Sequence, residues 1–166
     1  LEQTNLQTAS SVRSEQAITE RDIQKGLYAH LYFSGWRLFL PNTKFFNWES
    51  DFLTFNLEGQ IHEFEIKLSR ADFLNDFKKP KHTRLKNGRY SDYRIPNFFT
   101  FVLPAGFGRR YEIPEYAGLM EWNVQGGTVK VKTIRSAKEL SPVRCCERDY
   151  EFLISKSNEK MVKAWL

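Results

Sequence analysis

The chain has 166 residues, of which 41% are hydrophobic and 14 are Phe, enough for one domain with a full core and too apolar for a disordered tail. Its formal charge is +5 and its pI about 9.2, a moderately basic balance. No apolar run approaches the ~18 residues that span a bilayer, no signal peptide is recognisable, and the adjacent Cys145 and Cys146 lack metal-type spacing, so a cytoplasmic, reducing location fits best.

Residues 1–13 are polar and patternless and read as a flexible arm, leaving 14–166 as a single domain. Ser14 is a candidate N-cap, and Ala17, Ile18, Ile23, Leu27 and Leu31 recur at helical spacing, which predicts a helix over about 14–33 ended by Ser34-Gly35. Glu20 lies one turn before Ile23 on that stripe. Such a carboxylate either looks into a site at the core's edge or points to water, and for a lone Glu the second is the commoner outcome. Trp36 to Leu40 is a short apolar run, read as a first strand stopped by Pro41-Asn42.

Trp48 to Phe55 reads as a second strand, and Asn56-Leu57-Glu58-Gly59 as the turn into a third, Ile61 to Ser69. Period-two alternation sends His62, Phe64, Ile66 and Leu68 one way and Glu63, Glu65, Lys67 and Ser69 the other. A plain solvent-facing strand carries charges in the same way. If the two strands pair as a hairpin, Asp51 joins Glu65 and Lys67 on one sheet face. Glu65 and Lys67 are two residues apart, about 6.6 Å along a strand, so both reach one phosphate. Carboxylates suit a hard divalent cation, and a lysine beside them lends positive charge to a phosphodiester under attack. His62 falls on the opposite face and reads as structural.

Ser69 is an N-cap candidate with Asp72 three residues on, and Ala71, Phe73, Leu74 and Phe77 supply an apolar face, so a helix is predicted over about 70–79 with Pro80 as its stop. From Lys78 to Arg94 seven basic residues face Asp92 alone. This segment, with Asn87-Gly88 as a turn and Tyr90 and Tyr93 interleaved, reads either as a solvated basic loop or as a contact for a polyanion such as nucleic acid. Asn97 to Leu103 is almost wholly apolar, as a strand covered on both faces would be. A helical turn at 113–119 leads to a short strand over 119–123. Gln125-Gly126-Gly127 turns the chain into a strand over 128–134. The segment 149–166 closes the chain as a helix, with Phe152, Leu153, Met161 and Val162 among its apolar positions.

The order of elements, with Asp51 on one strand and Glu65-Ile66-Lys67 on the next, resembles the PD-(D/E)XK nuclease superfamily. The surrounding Glu49-Ser50-Asp51, Asp72-Phe73 and Asp76-Phe77-Lys78-Lys79 point to a small bacterial or phage branch. The resemblance runs from about residue 14 to residue 103. It implies an α/β fold with a restriction-endonuclease-like αβββαβ core, a mixed central sheet flanked by helices, and an extra C-terminal strand and helix. It also implies roles. Asp51 and Glu65 would be metal ligands, joined by the backbone carbonyl of Ile66 and by Glu20, and Lys67 would be the catalytic lysine. The implied cofactor is Mg2+, with Mn2+ as an alternative. The implied activity is hydrolysis of DNA by an endonuclease in repair, restriction or phage DNA processing. Lys78, Lys79, Lys81, His82, Arg84, Lys86, Arg89 and Tyr90 would then hold the DNA backbone. Ser50 stands where the superfamily usually has proline. Glu49 and Glu63 are extra carboxylates able to exchange roles with their neighbours, and a homodimer is left open. The other readings are a nucleic-acid-binding protein on the same fold without strong catalysis, and an interaction protein whose charged strand is only a wet face.

Overall fold

A computed structural model of the chain describes residues 17–91, 94–107 and 113–165. The predicted arm, the Ser14 cap and Tyr93 lie outside them. Six strands form one mixed sheet in sequential order: β1 (Phe39–Lys44), β2 (Glu49–Phe55), β3 (Ile61–Ile66), β4 (Phe98–Pro104), β5 (Gly118–Gln125) and β6 (Thr128–Arg135). β1, β2 and β3 pair antiparallel, β3–β4 and β4–β5 are parallel, and β6 returns antiparallel to β5. The two parallel pairings each need a crossover. The first crossover holds two short helices, α2 (Arg70–Asp76) and α3 (Lys81–Asn87); α1 (Glu20–Leu31) precedes the sheet and α4 (Glu147–Trp165) follows it. The result is a mixed α/β fold, a six-stranded sheet flanked by helices.

α1 begins at Glu20, later than the sequence suggests, because Thr19 closes a capping box: its side chain accepts from the Asp22 N–H while the Asp22 carboxylate accepts from the Thr19 N–H. Its stripe of Ile23, Leu27 and Leu31 packs on Phe52, Phe64, Ile66, Val102 and Met120. Gly26 lets the helix close on β6, since a Cβ there would stand 3.0 Å from the Val129 carbonyl oxygen. The opposite sheet face carries Phe99, Phe101, Leu103 and Leu119 under α2 and α3 through Phe73 and Leu85, while Leu153 of α4 closes a third cluster over Leu40, Phe46, Leu53, Phe55 and Ile61.

The third strand stops at Ile66 instead of reaching Ser69, which caps α2, and Leu68, expected towards the core, is exposed. Three further expected elements are different in the structure. The first strand is displaced to 39–44 and runs through Pro41-Asn42, with Pro41 paired to Phe52. β1 is a sheet edge, where a missing N–H leaves no ladder bond unmade, and Asn42 takes a positive φ of 45° that this residue type tolerates. The helix predicted over 70–79 ends at Asp76, and the basic stretch after Pro80 is a second helix rather than a loop. Of the apolar positions named on the last helix, Leu153 is buried, whereas Phe152, Met161 and Val162 are exposed. Among the described residues no helix is long and apolar enough to cross a membrane.

Candidate active site

β2 and β3 stay paired from Phe55 and Ile61 to Phe52 and Phe64 and then part. β2 continues towards Glu49 on β1, while the Lys67 N–H donates to the Val102 carbonyl of β4 at 3.0 Å. In this fork Asp51 replaces the lost ladder bond with its side chain. Its Oδ2 accepts from the Ile66 N–H at 2.7 Å. Alternation from the Phe52–Phe64 pair puts Asp51 on the face of Glu63 and Glu65. Burial, then the negative charge of Glu65, push the Asp51 carboxyl up to about 7, against the Ile66 N–H and Lys67; the charge of Glu20 adds to the rise.

Glu65 is 1% exposed and three ammonium groups meet on it. Lys67 Nζ lies 2.7 Å and Lys79 Nζ 3.3 Å from its Oε1, and Lys81 Nζ contacts Oε2. Burial alone would lower the pKa of Lys67, but Glu65, Asp76 and Asp51 outweigh it and hold the ammonium form; Glu63, Glu65 and Asp76 do the same for Lys81. Glu63, fully buried, accepts from the Trp48 indole N–H at 3.0 and 3.1 Å and stands 3.5 Å from Lys81 Nζ. Burial pushes its carboxyl up to about 7. Glu20 belongs to a polar strap at the rim. Its Oε1 accepts from the Gln24 and Asn42 side-chain amides at 2.9 Å each, and Gln24 also donates to the Asp51 carbonyl. Glu49 sits exposed on the edge side of β2.

The structure therefore brings Asp51, Glu65 and Lys67 to one face, with Ile66 at the fork and Glu20 nearby. It divides the predicted basic interface. Lys81 and His82 are buried, so neither belongs to a surface that meets DNA directly. They turn inward because α3 packs through Lys81, His82 and Leu85, and Glu63 and Glu65 beneath draw the Lys81 ammonium in. Arg84 lies half-buried, 5.9 Å from the centre of the Trp48 ring. Lys78, Lys79, Lys86, Arg89 and Tyr90 are exposed, and Arg94 is paired with Asp149. His62 is structural, as its face implies: it stacks on Phe64, shares a 2.7 Å hydrogen bond with Thr100, and burial drops its pKa to about 3.

The sequence alone points to no role for Asp76, Gln24, Trp48 or Tyr116. The signal for Gln24 was a polar residue next to Ile23 on an apolar stripe. Asp76 stood in the motif text without a partner, because its partners are remote in the chain or hidden in the basic run.

No protein-family model matches the sequence, and no curated protein matches it. Among solved structures, the fold is similar to the SPO1766 protein of Silicibacter pomeroyi, a protein of unknown function, with a TM-score of 0.58 and 18% identity over 85% of this chain and 84% of that one. At that identity the likeness concerns the fold alone.

Proposed function

We propose that the chain is a metal-dependent deoxyribonuclease, and that its sheet and helices are a restriction-endonuclease-like core of the PD-(D/E)XK type. The observation that carries this reading is the fork of β2 and β3, where Asp51, held by the Ile66 N–H, shares a face with Glu65 and its partner Lys67. The donor chemistry fits a magnesium ion. Asp51 is a carboxylate short of compensating positive charge, its pKa raised to about 7 by burial and by Glu65 and Glu20, and an ion that keeps several waters needs few protein oxygens. Asp51 and Glu65 would hold it, with the Ile66 carbonyl and Glu20 as further oxygen donors. Among the described residues no three His, Cys, Asp or Glu side chains are already grouped to hold a metal, and Glu65 would have to exchange an ammonium for the ion. Bound there, the ion supplies Lewis acidity towards a phosphate oxygen and acidifies water.

The chain's own residues supply the rest. Lys67 keeps a positive charge beside the reacting phosphate. Lys79, with its side chain 54% exposed, carries charge from Glu65 to the surface, where a DNA backbone meets Lys78, Lys86 and Arg89. DNA as substrate suits a cytoplasmic location, and nothing in the site requires a second copy of the chain.

One observation favours a second reading, a DNA-binding protein with weak or no catalysis: three lysines already neutralise Glu65. Incubation with supercoiled, linear, single-stranded and branched DNA, in Mg2+, Mn2+ or EDTA, separates the two. The nuclease reading expects metal-dependent cleavage that falls by roughly 100-fold or more in Asp51→Ala and Lys67→Ala, with salt-sensitive DNA binding retained. Binding without cleavage supports the second reading, and neither binding nor cleavage removes both.

A further inference from the structure

We infer that Asp76, braced from behind by His82 and Tyr116, is the positioning residue of this site and fixes where the Lys67 and Lys79 ammonium groups stand. The kinetic consequence rests on the nuclease reading above; the geometric consequence does not.

A lysine stem has four rotatable carbons and does not place its own charge. Glu65 Oε1 is one anchor for Lys67, shared with Lys79. The second comes from another element. Asp76, at the end of α2, sets Oδ1 3.1 Å from Lys67 Nζ and 2.5 Å from Lys79 Nζ. Both ammoniums converge on Oδ1, so this one buried oxygen bridges two cations. The Asp76 side chain is 0% exposed. An unpaired carboxylate there would be strongly destabilising, and an apolar residue would fill the space as well, so its charge is what distinguishes it.

Asp76 is held in turn. Its Oδ2 is 2.6 Å from His82 Nε2, and His82 Nδ1 is 2.7 Å from the Tyr116 hydroxyl. With Asp76 ionised, Nε2 carries the proton it donates. The His82 ring is packed among aromatic rings: it stacks on Phe101 at 5.8 Å, with Phe77 and Phe99 at 5.1 and 5.9 Å. Burial would raise the Asp76 pKa, but the His82 bond, the Lys81 charge, the Lys79 bond and the Lys67 charge hold it well below the usual carboxylate range. Tyr116, His82, Asp76, Lys67 and Glu65 thus form one line through four chain segments, from a surface groove shared by Phe77, His82 and Tyr116 to the fork of β2 and β3. Lys67 is buried and Lys79 half-exposed, so Asp76 couples the ammonium at the fork to the one that meets solvent.

The same contacts would also pin the α2–α3 corner to the sheet, so the test needs a readout that mere pinning leaves alone. Lysine side-chain nitrogen NMR of the full chain, without metal or DNA, should show a protected Lys67 ammonium that loses its protection in Asp76→Asn while the backbone amide spectrum stays folded. In cleavage assays Asp76→Asn should lower kcat by roughly 10–100-fold with KM for DNA within about twofold. Asp76→Glu, which restores the charge, should recover part of the loss. Tyr116→Phe, which removes only the outermost brace, should cost a few-fold and keeps the idea falsifiable if Asp76→Asn does not fold. A wild type that cuts no DNA sinks the nuclease reading alone, since the NMR result still decides the positioning. An unchanged Lys67 signal in folded Asp76→Asn, or full loss of protection with kcat unchanged, overturns the proposal, as does a Tyr116→Phe that matches wild type in both measurements.

Discussion

Strand β3 has two faces that are equally buried and chemically opposite. Towards α1 it presents His62, Phe64 and Ile66, at 8%, 0% and 3% exposure; towards α2 and α3 it and its extension present Glu63, Glu65 and Lys67, at 0%, 1% and 3%. The first face is served by any apolar filling of the right volume, and it is filled by Ile23, Leu27, Phe52 and Val102. The second is served only by partners of the right charge in the right place. Each carboxylate there has its own cation or donor: Lys67, Lys79 and Lys81 for Glu65, Trp48 and Lys81 for Glu63. Replacing such a cluster by hydrophobic residues is often neutral or stabilising, so the stability of the fold does not by itself call for the ionic face.

The largest effect should come from the apolar face. Phe64→Ala, which empties a fully buried ring from the middle of the sheet, is expected to cost about 3–5 kcal/mol, read as a drop in denaturant midpoint at constant slope. Glu63→Gln tests the other face. The folded pKa of Glu63 is about 7, against an ordinary value of 4.5. The folded state then holds this proton more tightly than the unfolded one, and wild-type stability declines as pH rises from about 4.5 to about 7. Glu63→Gln should remove that decline and gain about 2–3 kcal/mol over wild type at pH 8 relative to pH 5. If it instead destabilises at pH 8 as much as Phe64→Ala does, Glu63 and Lys81 are a net stabilising pair and the contrast between the faces fails.

The alternation of β3 was legible in the sequence, because a strand's period is rigid, and so were the hairpin and the grouping of Asp51 with Glu65 and Lys67. That the charged face is covered was not legible. The cover is the α2–α3 corner, and its cations read as a solvated run because Pro80 and Asn87-Gly88 look like loop punctuation. In the structure Lys81, His82 and Leu85 share the inward side of a seven-residue helix, too short for periodicity to announce it. The edge strand was displaced for a related reason. Pro41 and Asn42 break an interior strand, and only the sheet order reveals that β1 has a free side.

The smallest effect should come from charge pairing outside the cluster. Arg94 makes a two-pronged ion pair with Asp149, whose carboxylate also accepts from the Cys146 N–H at the start of α4. The Arg94 bond, assisted by that capping contact, holds the Asp149 carboxyl down at about 2. The sign is opposite to that of Glu63: the stabilisation is present above the ordinary value of 3.8 and is lost as pH falls through about 2. The Arg94 side chain is 36% exposed, so water and salt screen the pair, and Asp149→Asn, which keeps a capping oxygen, should cost about 1 kcal/mol or less at pH 7. That cost should shrink in 1 M salt and vanish near pH 2. The buried ions around Glu65 are shielded from salt by the corner above them, so their response to ionic strength should stay flat where that of Asp149 falls. Melting curves of wild type and Asp149→Asn at low and high salt would show whether the depth of an ion pair, rather than its geometry, sets what it contributes in this protein.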